Sequence, residues 1–114
     1  MSDTHAAARQ VVDHMMQHDR FSKWLGIEVL EVQEGSSSIR MKVREEMVNG
    51  FGIAHGGIAF SLADSAFAFA CNNRNQLSVA LDTSINFTRE VRVGDVLTAT
   101  AKEEHNGKST GLYT

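Results

Sequence analysis

Asp64 is the residue whose setting most needs a chemical explanation. Between Met47 and Asn73 no other residue carries a formal charge at neutral pH. The stretch around it joins a loop punctuated by Gly50, Gly52, Gly56 and Gly57 to an alanine-rich apolar helix. A carboxylate on an otherwise buried helix is costly unless something compensates it. Carboxylates are retained in such places most often for chemistry or for a specific partner.

His55, Gly56 and Gly57 open that helix. A helix start presents unpaired backbone N–H groups and a partial positive charge. Two glycines let a ligand approach the backbone with no Cβ in the way. Such a start suits a carbonyl oxygen that gains negative charge during reaction. Asp64 follows Gly57 by seven residues, about two turns on and on the same face. Asn49, six residues before His55, could position a water or a carbonyl. These are the parts of an acyl-transfer site. Two turns span about 10 Å, long for groups that must act on one acyl carbon. An interface pairing Gly57 of one subunit with Asp64 of another would close that gap. The plainer reading stays open on pattern alone: a glycine pair as loop chemistry, and Asp64 bonded to a neighbouring backbone group or to Ser61.

The elements that must position these residues follow from hydrophobic periodicity. Residues 4–16 form an amphipathic helix with Ala8, Val11, Val12 and Met15 on one face. Asp19 can cap a short second turn carrying Phe21, Trp24 and Leu25, and Gly26 ends the helical segment. Phe21 and Trp24 are expected to pack the first helix onto the sheet. Ile27, Val29 and an offset Val32 make a first strand. Ile39, Met41 and Val43 alternate with Arg40, Lys42 and Arg44 in a second, with Gly35 and three serines as the turn. The apolar helix covers residues 55–73, and residues 78–87 form a third strand. Leu97, Ala99 and Ala101 alternate in a fourth. Asn106-Gly107 signals a two-residue hairpin in which both positions tolerate positive φ, and residues 108–114 begin a fifth strand. Ala59, Ala63, Ala66 and Ala70 give the long helix a stripe of small residues that a sheet can approach closely. A helix this apolar all round is expected to be buried, wrapped by an antiparallel sheet in an α+β arrangement.

Composition narrows the function classes. The chain has 114 residues, which suits one domain. Its net charge is −3 with both signs interspersed, so no basic stripe meets phosphates along a nucleic acid. The single cysteine, Cys71, excludes an internal disulfide and fits a reducing compartment. Within the apolar helix a packed thiol is expected there, not a reactive one. The N-terminus shows no signal-peptide pattern, and no apolar run is long enough to span a bilayer.

The ordered set Asn49, His55-Gly56-Gly57 and Ser61-Leu62-Ala63-Asp64 resembles the hotdog-fold acyl-CoA thioesterases of the PaaI type, named for the phenylacetate degradation pathway. The likeness extends to Leu25-Gly26-Ile27, to Ile85-Asn86-Phe87-Thr88-Arg89, to the run from Gly94 to Ala101 and to Gly107-Lys108. It covers nearly the whole chain. The resemblance implies a single hotdog domain over 1–114, with the sheet wrapped around a long central helix. It implies a cytoplasmic homodimer or dimer of dimers, a homotetramer, with the active site between subunits. Its substrate would be an acyl-CoA, aryl or medium-chain, with phenylacetyl-CoA-like thioesters favoured. No cofactor or metal is implied, since coenzyme A is part of the substrate, and neither is a nucleic-acid or membrane partner. Carried over by motif, Asp64 is the general base or nucleophile. The Gly57 N–H polarises the thioester carbonyl, His55 orients that loop, and Asn49 holds the water or the carbonyl. Arg89, Arg92 and Lys108 are candidates for CoA phosphate contacts, and Phe60 for the acyl pocket.

Three departures from the family pattern accompany this likeness. Glu90 stands where proline is frequent, and its charge opposes CoA phosphate binding nearby. Ala80 aligns where some relatives carry a hydroxyl facing the carboxylate. Relatives continue past the Thr114 position by about one more strand pair, and the family's last strand would lie between the fifth and third strands. Its absence is expected to expose two strand edges and part of the apolar helix, and to leave a chain of this length marginal alone. Among other candidates, His14 and His18 have a spacing that can bind a metal but no further ligands beside them. No Gly-x-Ser-x-Gly elbow surrounds Ser61 or Ser65, which argues against a serine-hydrolase triad. An acyl-CoA-binding module without hydrolysis is the alternative to the enzyme. A hotdog dehydratase is a third possibility, though those usually pair a histidine with the acid differently. A module that only binds has no use for a water-activating carboxylate.

Overall fold

In the computed structural model, which describes residues 3–114, one long helix lies on an antiparallel sheet. Helix α1 spans Asp3–His18 and buries Ala8 and Val12, with Met15 packed at the margin. Asp19 caps α2, Arg20–Leu25, by accepting the Ser22 N–H at 2.9 Å. Gly26 ends α2 in the left-handed region, at φ +77°, where glycine alone carries no Cβ penalty.

The sheet has the order β1-β2-β3-β4, every pair antiparallel. Its strands are β1 Glu28–Gln33, β2 Ser36–Lys42, β3 Val96–Asn106 and β4 Gly111–Tyr113. The register pairs Ile39 with Ala99 and Met41 with Leu97. The buried residues Ile39 and Met41 therefore share one face of β2. That face receives α3, Gly56–Cys71, through Leu62, Ala66, Phe69 and Ala70.

Polar side chains lock this packing. Ser37 Oγ donates to the Ala66 carbonyl at 2.6 Å, tying β2 to the middle of α3. Just beyond α3, Asn73 clamps the β1–β2 turn. Its Oδ1 accepts the Gly35 N–H at 3.0 Å, and its Nδ2 donates to the carbonyls of Gln33 and Ser36 at 2.8 and 3.2 Å. Arg74 links the same turn to β3 through Glu34 and Glu103.

Four sequence expectations change. The serines after Gly35 belong to β2, not to the turn, because each hydroxyl of Ser37 and Ser38 finds a partner across the fold. Phe21 and Trp24 do not pack α1 onto the sheet: they stack on each other at the surface, 6.1 Å apart, with Arg44 over the Trp24 ring. Ser22 and Leu25 take the inward face of α2 instead. The Asn106-Gly107 hairpin closes through a longer loop over residues 107–110, with Gly107 N–H donating to the Thr110 carbonyl at 2.8 Å. Neither Asn106 nor Gly107 has positive φ. Glycine is required there because a Cβ on Gly107 would stand 2.7 Å from the Thr110 oxygen.

The fourth change concerns residues 78–87, which join no ladder. A strand needs a neighbour to satisfy its backbone, and β4 lies across an open cleft from this segment. Only Ser78 is tied, through the side-chain amide of Asn72, until Val91 accepts the Ala54 N–H at 2.7 Å. Leu77, Val79 and Leu81 are left more than 80% exposed. Part of α3 is uncovered in the same way. The helix is buried on its sheet face, while Ala63 and Asp64 on the other face are exposed.

Candidate active site

The loop before α3 is built around Asn49. Its Oδ1 accepts the N–H groups of Phe51 and Ile53 at 2.9 and 3.2 Å, and its own N–H donates to the Ile53 carbonyl at 2.8 Å. Such a side-chain turn is what asparagine does well. The consequence is that Oδ1 is committed to the loop, and only the Nδ2 donors remain to face a substrate. His55 N–H then donates to the Met47 carbonyl at 2.8 Å, which sets the helix entry.

His55 is the N-cap of α3, and its Nδ1 accepts the Gly57 N–H at 3.1 Å. An accepting Nδ1 carries no proton, so the ring's proton sits on Nε2. The expected role of His55 in orienting this loop thus takes a definite form. It also changes the expectation for Gly57: its amide is not a free donor but is shared with His55. The space opened by the glycine pair is partly occupied by the chain itself. A Cβ on Gly57 would sit 3.3 Å from His55 Nδ1, and one on Gly56 would sit 3.3 Å from the Phe87 ring. Phe87 is the packing partner that sequence reasoning left without a role here. The glycine it covers was legible, but its distant partner was not.

Asp64 lies about two turns, or about 10 Å, beyond Gly57 along α3. The carboxylate is exposed and makes no hydrogen bond or ion pair among the described residues. That excludes the plain structural reading in which it bonds Ser61 or nearby backbone. Its cost of burial, argued from the apolar run, does not arise in the single chain, because the uncovered face of α3 presents it to solvent.

Asp64 opens into a cleft of about 1280 Å³ between α3, residues 77–85 and the β3–β4 hairpin. Phe60, Ala63 and Phe67 line its floor. The ring of Phe67 meets Tyr113 edge-on at 5.5 Å, and burial pushes the Tyr113 phenol above its ordinary value. Cys71 also reaches this cleft. It is buried, and desolvation raises its thiol pKa, the setting of a packed thiol. Of the cationic candidates, Lys108 lines the hairpin rim of the cleft, and Arg89 is exposed on the loop beyond it. Arg92 is paired with Glu90, so the acidic residue at that position acts first on its own neighbour. The structure therefore gathers Asp64, Phe60 and Lys108 about one cleft and Asn49, His55 and Gly57 about the helix start.

The sequence profile of the thioesterase superfamily matches residues 51–114, more than half of the chain. The chain belongs to the thioesterase superfamily. It is 46% identical over 99 residues to the acyl-coenzyme A thioesterase PaaI of Escherichia coli, spanning 87% of this chain and 71% of that protein. The solved structure of E. coli PaaI superposes with a TM-score of 0.95 at 42% identity, covering 97% of this chain and 80% of that one. Human acyl-coenzyme A thioesterase 13 is 30% identical over 112 residues, 96% of this chain and 80% of that protein. A hypothetical thioesterase of Streptococcus pneumoniae, solved with coenzyme A, matches with a TM-score of 0.80 at 27% identity over 88% of this chain and 78% of that one. The four-stranded antiparallel sheet carrying a long helix is thus the hotdog fold of this superfamily. No helix among the described residues is long and apolar enough to cross a membrane.

Proposed function

We propose that the chain hydrolyses acyl-CoA thioesters, with aryl substrates of the phenylacetyl-CoA kind favoured, as a cytoplasmic dimer or dimer of dimers. The observation that carries this reading is Asp64: an exposed carboxylate without a partner among the described residues, on the same helix as the His55-capped glycine start, in a chain of the thioesterase superfamily. Asp64 is the general base. Solvent reaches it, so it can take a proton from a water that attacks the thioester carbon. The resulting oxyanion is met by the Gly57 N–H at the positive end of α3. Nδ2 of Asn49 steadies the carbonyl or the water. Collapse of the tetrahedral intermediate breaks the C–S bond, and the proton passes from Asp64 to the leaving CoA sulfur.

His55 holds the Gly57 amide until the substrate carbonyl shares it, so the donor is oriented before substrate arrives. The 10 Å between Gly57 and Asp64 supports a site shared by two subunits, each giving one of the two. Phe60 borders the acyl group, and Arg89, Arg92 and Lys108 stand toward the CoA phosphates. The purified protein is assayed on a panel of aryl- and straight-chain acyl-CoAs by following release of the CoA thiol. Turnover of at least one thioester supports the reading. Tight binding with no turnover of any thioester would leave a binding module in its place.

A further inference from the structure

Ser22 on α2 and Ser65 on α3 are both buried, and their hydroxyl oxygens lie 2.8 Å apart. Asp19 sets the direction of that bond. Its Oδ1 accepts the Ser22 N–H at 2.9 Å and its Oδ2 accepts the Ser22 O–H at 2.6 Å. A carboxylate only accepts. The Ser22 hydroxyl therefore gives its proton to Asp19 and accepts from Ser65. Independently, Ser37 on β2 donates to the Ala66 carbonyl at 2.6 Å, also in the interior. The helix is thus held by directional bonds from two elements at Ser65 and Ala66, the two residues immediately after Asp64. A serine inside a helix commonly points to solvent or bonds back to its own preceding turn. Ser65 instead reaches across to α2.

We propose that Ser65 is a positioning residue for Asp64. The chain Asp19–Ser22–Ser65, together with the Ser37 bond to Ala66, sets the rotation of α3 about its axis and so the direction of the reacting carboxylate. The proposal rests on Asp64 being that carboxylate. An aspartate oxygen stands roughly 5–6 Å from a helix axis whose Cα radius is about 2.3 Å. A turn of about 10° then moves it by about 1 Å, and a displacement of that size can cost about 10²-fold in rate.

The test compares Ser65→Ala, Ser22→Ala and the double variant on an acyl-CoA that the parent protein hydrolyses. Ser38→Ala serves as control, since its hydroxyl meets Thr100 on the outer face of the sheet. Each single variant is expected to lower kcat by about tenfold or more while KM stays within about twofold. The double variant should be no worse than either single one, because one chain is broken in each case. Ser65→Thr, which restores a hydroxyl, should recover most of kcat, and Ser38→Ala should leave it unchanged. Crystal structures of the parent and Ser65→Ala read the placement without reference to activity. They should show α3 turned and the Asp64 carboxylate moved by about 1 Å. Normal kcat in Ser65→Ala, an unmoved Asp64, or an equal loss in Ser38→Ala overturns the proposal. A parent protein that hydrolyses no acyl-CoA ends the thioesterase reading instead, and the crystallographic comparison then decides the lock by itself.

Discussion

Removing the side chain of Asn73 should unfasten the β1–β2 turn from α3. This amide is 2% exposed and makes three hydrogen bonds, one accepted from Gly35 and two donated to Gln33 and Ser36. A net value of about 0.5–1.5 kcal/mol per bond, plus about 1–3 kcal/mol for the stranded Gly35 N–H, gives a loss of about 3–7 kcal/mol for Asn73→Ala. That is a large share of a stability of about 5–15 kcal/mol for an ordinary domain. Asn73→Asp separates the donors from the acceptor. It keeps the acceptor for Gly35 but turns an acceptor oxygen toward two carbonyls, 2.8 and 3.2 Å from the present nitrogen. The introduced carboxylate is disfavoured in its charged form, so its folded pKa rises above the unfolded value of about 3.9. Between those two values the folded state holds more protons than the unfolded one, so stability relative to wild type falls as pH rises through that window. Urea unfolding followed by circular dichroism at intervals from about pH 3.5 to pH 8, with wild type alongside, measures both effects. A loss below about 1 kcal/mol for Asn73→Ala, or a pH-independent deficit for Asn73→Asp, would refute the clamp.

Cys71, buried with its thiol pKa raised by desolvation, should react with a thiol reagent at pH 8 at least about tenfold more slowly in the folded than in the urea-unfolded protein; equal rates would contradict its packing. Arg89→Ala should raise KM for acyl-CoA more than it lowers kcat, and added salt should shrink the difference; an unchanged KM argues against phosphate contact. Mixed dimers of Asp64→Asn and Gly57→Ala subunits should recover one working site per dimer, since alanine at position 57 crowds His55 Nδ1; dimers that form without activity would refute a shared site.

What could be read from the sequence follows the range of the interactions involved. Local signals held well. Asp19 caps α2, Gly26 takes the left-handed turn, and His55-Gly56-Gly57 starts α3. Apolar alternation placed Ile39 and Met41 on the inner face of β2. The failures came where a distant partner decides. Ser36 to Ser38 look like a turn until Ala66 and Thr100 supply hydrogen-bond partners from elsewhere in the chain. Residues 78–87 have strand composition, but composition cannot provide the neighbouring backbone that a ladder requires. Phe21 and Trp24 share the helical spacing of core residues, yet α2 is too short to bury both its faces, and Ser22 takes the interior beside Ser65. Asp64 itself was found through its isolation among apolar residues. An open part of α3 was expected from the absent last strand, but that Asp64 lies on it was not legible, because which face of α3 the sheet covers is a matter of tertiary packing.

The central claim is that Asp64 activates the water that cleaves the thioester. Steady-state kinetics of Asp64→Asn, which keeps the shape and removes the base, test it on the best acyl-CoA found for the parent protein. The exposed side chain makes no hydrogen bond among the described residues, so the melting temperature should stay near that of wild type. The variant's kcat should fall by about 10²–10⁴-fold with KM little changed. A folded Asp64→Asn variant that turns over the same substrate at close to the wild-type kcat would contradict it.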